Sequence, residues 1–190
     1  QADGGEVMIP RNYKIGALKQ YFDFTEKTLI DETALALAED DKFSLYKVEK
    51  ILFGLGFSQD DLEKEPKSFS GGYQIRINLA KLLLTEPNML LLDEPTNYLD
   101  ILSIRWLKAF LKNFDGEVIL ITHDRDFMDS VCTHTMGIIR RNAYMIAGGT
   151  EKFYEQLASN EEHHEKQKIA QDKKIKELED FISKNKARAS

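Results

Sequence analysis

The sequence has 190 residues, 42% hydrophobic and 31% charged, with 26 basic against 32 acidic side chains and a formal net charge of -6. That length suits one globular domain, or one and a part, and the negative total argues against a protein that coats nucleic acid with its whole surface. The longest apolar runs, such as Met89-Leu90-Leu91-Leu92, fall far short of the roughly 20 residues that cross a bilayer, so no membrane insertion is expected. A lone cysteine, Cys132, excludes an intrachain disulfide, and with no secretory signal ahead of the fold the expected setting is reduced and cytoplasmic.

In chain order, Ile15-Gly16-Ala17-Leu18-Lys19 ends at Gln20, which carries no signal alone. Residues 21–65 hold 12 acidic against 5 basic side chains and with them the negative charge of the chain. Leu35 and Ala38, then Val48, Ile51, Leu52 and Leu55, fall at helix spacing, and Gly54 and Gly56 close the second run, which predicts a small acidic helical subdomain. Ser68-Phe69-Ser70-Gly71-Gly72-Tyr73-Gln74-Ile75-Arg76 is a glycine pair opening a helix whose apolar positions are Ile75, Leu79, Leu82 and Leu83. Amides freed by the glycines at a helix N-terminus make an anion site, to which Ser70 adds a hydroxyl; the same tripeptide also reads as an ordinary N-cap and turn.

Met89-Leu90-Leu91-Leu92-Asp93-Glu94 is an apolar strand of the kind buried on both faces of a parallel sheet, and it ends in two carboxylates. Asp93 at that edge suits Mg2+, which takes hard oxygen donors beside phosphates, and Glu94 is placed to orient or deprotonate a water. The alternative is an acidic pair that caps the next helix or turns into Pro95. Ile101 to Phe114 reads as a crossover helix, with Ile104, Leu107, Phe110, Leu111 and Phe114 on one side, leading to a second strand over Val118–Ile121. Two strands joined by such a helix form a βαβ unit, so the class is α/β. That second strand runs on into Thr122-His123-Asp124, putting His123 at a sheet edge as either a structural or a catalytic histidine. Thr135–Arg140 and Tyr144–Ala147 flank Arg141-Asn142 as a hairpin. Residues 151–190 contain no Gly or Pro and balance 9 acids against 9 bases, the pattern of a solvated helix. Within it Ile175, Leu178 and Ile182 form a one-sided stripe that needs a partner helix, and Lys184, Lys186 and Arg188 make a basic end.

Taken together, Gln20, the helical insert, Ser70-Gly71-Gly72-Tyr73-Gln74, Leu92-Asp93-Glu94-Pro95-Thr96-Asn97-Tyr98-Leu99-Asp100 and Thr122-His123-Asp124 resemble the ATP-binding cassette (ABC) ATPases. The stretch 93–100, the segment Thr122-His123-Asp124-Arg125-Asp126-Phe127-Met128 and the helix at 151–190 look most like the ABC-F branch, soluble proteins with two cassettes in one chain that act on ribosomes. The resemblance implies a P-loop NTPase-like cassette, a partial parallel sheet with helices, plus a helical subdomain and a C-terminal linker helix. Its implied parts are a core remnant over 1–20 ending at the Q-loop glutamine Gln20, the acidic helical subdomain over 21–66, the signature, Walker B, D-loop and switch-histidine part over 67–150, and the start of the inter-cassette linker over 151–190.

By the same resemblance the cofactors are ATP and Mg2+. Asp93 would bind the metal, Glu94 would act on the attacking water, His123 would meet the γ-phosphate and Gln20 would sense metal and water. Ser70, Gly71, Gly72 and Gln74 would contact ATP held by a second cassette, and Asp100 would couple the two sites. The implied partners are that second cassette and, through the linker, the ribosome and transfer RNA; the rival is the ATP-binding subunit of a membrane transporter or a non-catalytic scaffold. Phe69, Tyr73 and the late Gln74 depart from the commonest signature.

None of the 11 glycines starts the G-x-x-x-x-G-K-[ST] pattern of a phosphate-binding loop. The expectation is a fragment of a first cassette whose phosphate loop lies upstream of Gln1, inactive alone and prone to self-association through exposed sheet edges. Charged hydrogen bonds contribute about 1.5–3 kcal/mol each, so losing roughly four outweighs the approximately 4 kcal/mol of a millimolar ligand.

Overall fold

The computed structural model describes residues 4–18, 23–38, 44–160, 171, 174 and 175. It forms two compact units, Gln1–Cys132 and Thr133–Ser190. The first is built on a three-stranded parallel sheet of β1 (Ile15–Ala17), β2 (Met89–Asp93) and β3 (Glu117–Ile121), in that spatial order. Ala17 lies beside Leu91, and Leu91 beside Ile119.

Side chains alternate across a strand, so Leu90 and Leu92 share one face and are both buried. They join Leu79, Leu82, Leu107 and Leu111 in one apolar core, contributed by α3 (Gly71–Leu84) and α4 (Ile101–Lys112). On the other face Ile15, Ile119 and Ile121 stay exposed. The continuous apolar run of β2 is thus a parallel strand packed on one side only by this chain. The α/β class and the βαβ unit stand as expected, with α4 ending at Lys112.

The helical subdomain contains α1 (Leu29–Ala34) and α2 (Leu45–Gly54). Thr28 caps α1 by accepting from the Asp31 amide at 3.2 Å. Val48, Ile51, Leu52 and Leu55 are buried as their spacing requires. Leu35 is a correction: α1 ends at Ala34, so Leu35 falls in the turn and is exposed, while Leu37 is buried in its place. A similar shift affects α3, where Ile77 rather than Ile75 is fully buried. Glu32 is fully buried, accepting from the amides of Thr25 at 2.7 Å and Glu26 at 2.9 Å and from Lys81 Nζ on α3.

The second unit carries the hairpin β4 (His134–Ile139) and β5 (Asn142–Ala147), followed by helical residues 150–160. Its turn lies one residue earlier than the sequence suggests. Arg140 and Arg141 have φ of 49° and 69°, and Asn142 pairs with Ile139. Two left-handed residues match the right-handed twist of the strands, and that geometry prevails over the usual preference for Asn or Gly there. Leu178, Ile182, Lys184, Lys186 and Arg188 lie outside the described residues, and Ile175 is exposed. No helix among the described residues is long and apolar enough to cross a membrane.

Candidate functional site

Because β1, β2 and β3 run parallel, their carboxyl ends open on the same edge of the sheet, where ligands bind in open α/β folds. Asp93, the last residue of β2, is exposed there opposite Ile121. The next amide continues the ladder, Glu94 N donating to Ile121 O at 2.8 Å. Glu94 then turns into the left-handed region, with φ of 47°. A non-glycine residue held there costs of order 1–3 kcal/mol and persists where its surroundings over-determine it.

Those surroundings come from the end of β3. Thr122 is buried and its hydroxyl donates to Glu94 Oε2 at 3.4 Å while accepting from the Asp124 amide at 3.1 Å. Asp124 caps α5 (Arg125–Val131) through the Phe127 amide at 2.9 Å, which fixes the turn that carries His123. His123 projects fully into solvent with Nε2 3.5 Å from Glu94 Oε1. That oxygen is buried and has no hydrogen-bond partner among the described residues. A buried acceptor without a donor is costly, which makes this oxygen, 3.5 Å from His123 Nε2, a candidate to accept from a proton-bearing group.

The structure therefore brings Asp93, Glu94 and His123 to one edge. Gln20 lies outside the described residues, but the chain leading to it runs alongside, with Leu18 N donating to Leu91 O at 3.4 Å. Among the described residues no cluster of three or more His, Cys, Asp or Glu side chains forms a metal cage. Mg2+ typically uses one or two carboxylates and completes its shell with water and substrate phosphates, which the exposed Asp93 fits.

The glycine pair forms a second group. Ser70 is the N-cap of α3, and its hydroxyl makes no capping bond. Among the described residues nothing stands within 4 Å of a Cβ built at Gly71, and a Cβ at Gly72 would meet only Tyr98, at 3.7 Å, so the first turn of α3 is uncrowded on that side. Gln74 is turned back, its Nε2 donating to Phe69 O at 2.9 Å and Lys67 O at 3.4 Å. The unusual aromatics have a packing reason: Phe57, Phe69 and Tyr73 form a triangle with centroids 5.3–6.0 Å apart.

Asp100 adjoins this second group. It caps α4, accepting from Ser103 N at 2.9 Å and Ser103 Oγ at 3.2 Å, and pairs with Arg76 Nη1 at 3.1 Å. The Ser103 amide above all, with Arg76 and the Ser103 hydroxyl adding to it, holds its carboxyl below the usual range. Among the described residues no hydrogen bond or ion pair joins Ser70–Gln74 to Asp93, Glu94 or His123. Thr122 and Arg76 were not legible as site residues. Thr122 is one more residue of an apolar strand end, and Arg76 is a single cation within a helix.

Comparison with known proteins agrees with this geometry. The ABC transporter family pattern matches residues 5–97, and a second pattern with the same description matches 136–190. YdiF of Bacillus subtilis is 39% identical over 143 residues, covering 75% of this chain and 22% of its own length. The ABC transporter F family member 2 of Dictyostelium discoideum is 36% identical over 137 residues, covering 72% of this chain and 23% of its own length. Among solved structures, the ATP binding subunit of an ABC transporter superposes with a TM-score of 0.63 at 19% identity, covering 76% of this chain and 62% of that one. The chain thus spans less than a quarter of the length of these two relatives.

Proposed function

Because this chain belongs to the ABC transporter family of ATP-binding cassettes, we propose that it supplies the hydrolytic edge and the signature face of a soluble, cytoplasmic ABC-F ATPase acting on the ribosome. The observation that carries the ATPase reading is Glu94: a strained backbone, a buried oxygen without a donor among the described residues and His123 3.5 Å away. ATP with Mg2+ supplies the electrophilic γ-phosphorus and the charge neutralisation that phosphoryl transfer to water requires. Glu94 accepts a proton from the attacking water, and Thr122 holds its other oxygen in place. His123, exposed beside it, steadies the γ-phosphate oxygens, Asp93 offers a metal ligand, and Gln20 senses the metal and water. Ser70, Gly71 and Gly72 present amides and a hydroxyl to ATP held by a second cassette, and Asp100 couples the two sites. Gln74 serves this contact by bracing the loop before Ser70.

The 190 residues contain no phosphate-binding loop, so the chain by itself neither binds ATP tightly nor hydrolyses it. The uncovered face of Ile15, Ile119 and Ile121 supports self-association of the isolated chain, since parallel sheets are normally covered on both faces. The ABC-F assignment is supported by the likeness of 93–100 and 122–128 to that branch and by a relative named as an F family member. It makes the linker over 151–190 the element that reaches toward transfer RNA. The test uses the full-length protein. Glu94→Gln should slow hydrolysis by about two orders of magnitude or more, the usual contribution of a general base, and should trap the protein on ribosomes in co-sedimentation. Unchanged turnover overturns the base, and sedimentation with membranes instead of ribosomes transfers the reading to a transporter engine.

A further inference from the structure

Arg76 has no part in the chemistry above, yet its side chain is buried and bonded to three separate acceptors. Only 8% of it is exposed. Nε donates to the carbonyl of Tyr98 at 2.7 Å, and Nη1 donates to the carbonyl of Leu55 at 3.0 Å and to Asp100 Oδ2 at 3.1 Å. The guanidinium also lies 4.6 Å from the centre of the Tyr73 ring. Three segments far apart in sequence meet on this side chain: the turn after α2, the first turns of α3, and the loop between β2 and α4.

The space is fitted to the guanidinium. Gly56 has φ of +89°, and a Cβ there would stand 2.8 Å from Arg76 Nη1, 3.0 Å from Ser103 Oγ and 3.2 Å from Asp100 Oδ2. Tyr98 also stands beside Gly72, 3.7 Å from where a Cβ there would lie. The loop 97–100 therefore meets α3 at two places, the Arg76 side chain and Gly72. Lysine cannot reproduce this, because its ammonium has no planar fork to serve separated acceptors.

We infer that Arg76 is a positioning residue that fastens the loop 97–100 to the turn Ser70–Gln74, so that the two move as one body when that turn engages a phosphate-bearing ligand on a facing cassette. The contacts stand by themselves; the consequence for hydrolysis rests on the proposed function. A pull on Gly71 and Gly72 passes along the first turns of α3 to Arg76, and from there to Tyr98 and Asp100. Asp100 is also the N-cap of α4, so the loop cannot shift without disturbing that helix start.

Two readouts test this, with Arg76→Lys and with Asp100→Asn, which keeps a capping oxygen for Ser103 while removing the charge. In the full-length protein, amide hydrogen exchange at Asn97, Leu99 and Ser103 should accelerate about tenfold in both variants while β2 and β3 keep their protection, reporting a loosened loop in a retained fold. In the full-length protein, kcat should fall about tenfold with the KM for ATP held within about twofold, as for an interaction needed only at the chemical step. Unchanged exchange in both variants overturns the joint. A loosened loop with unchanged kcat, or a raised KM alone, overturns the coupling. A wild-type full-length protein that hydrolyses no ATP would sink the proposed function, and the exchange measurement would still decide whether the joint exists.

Discussion

Two glutamates, one fully buried and one partly, mark the two ends of what this chain does with a carboxylate. Glu32, in the helical subdomain, is fully buried and fully answered: two backbone amides and a lysine converge on it. Glu94, at the strand edge, sits in a left-handed backbone with one oxygen held by Thr122 at 3.4 Å and the other buried without a donor among the described residues. They differ in burial, Glu32 being fully enclosed and the Glu94 side chain 22% exposed. They differ also in how far the described residues complete the hydrogen-bond set. A satisfied carboxylate contributes to the fold, whereas an unsatisfied one in a strained backbone supports the proposed catalytic role.

The largest effect that would break this contrast is on turnover. Glu94→Gln in the full-length protein should cost about two orders of magnitude or more in kcat, yet leave stability within about 0.5 kcal/mol, because Gln can keep the Thr122 bond. Parallel ATPase and thermal melting measurements check both halves, and a large loss of stability would place Glu94 with Glu32. The mirror experiment is Glu32→Gln. An amide that keeps the Thr25 and Glu26 bonds turns its NH2 toward Lys81, whose side chain is 24% exposed and recovers water, so the loss should be about 1–2 kcal/mol by denaturant unfolding. A change below about 0.5 kcal/mol would show that the buried pair is replaceable at no cost.

Acid sharpens the second half of the comparison. Burial pushes the Glu32 carboxyl up, but the amides of Glu26 and Thr25 and the Lys81 ammonium together outweigh it, and the net direction is down. A group whose pKa is lower in the folded than in the unfolded chain adds stability that is complete above the unfolded value, about 4.3 for Glu, and is lost as pH falls through the folded value. Wild type should therefore exceed Glu32→Gln by a constant margin at neutral pH, and the two should converge as pH drops below about 4. Parallel unfolding curves that keep their separation to the acid limit would show that ionisation of Glu32 is not the source.

The contrast also explains what was legible in the sequence. β2, β3 and α4 could be read because an apolar run, a crossover helix and a second run have few other uses, and Asp93, Glu94 and His123 follow from where parallel strands end. The resemblance to ABC cassettes rested on short polar motifs at fixed order, and those motifs are the ones the proposed function assigns to ligands. Interactions between distant segments could not be read. Nothing in Arg76 announces Tyr98, Leu55 and Asp100 as partners, and nothing in Glu32 announces Thr25 and Lys81, because each needs the tertiary fold to exist first. Leu35 illustrates the same limit locally. Its spacing suits the apolar face of α1, but the helix ends one residue earlier, so the position turns outward and Leu37 fills the core. The hairpin turn at Arg140 and Arg141 defied expectation because strand twist set the backbone there, not residue preference.

The smallest effect is the most direct test of the idea that Glu94 is held against its own preference. Glycine adopts a φ of 47° without a Cβ clash, so Glu94→Gly removes the strain while giving up the long 3.4 Å bond to Thr122 and the 3.5 Å contact with the exposed His123. The variant should gain about 0.5–1 kcal/mol in thermal or denaturant unfolding while losing hydrolysis in the full-length protein as completely as Glu94→Gln. No such gain is available at Glu32, which is helical and whose backbone is relaxed. A loss of stability in Glu94→Gly would mean that the Glu94 side chain holds the strand edge together as Glu32 holds the helical subdomain. The orphaned oxygen would then be a packing cost in place of a position reserved for the attacking water.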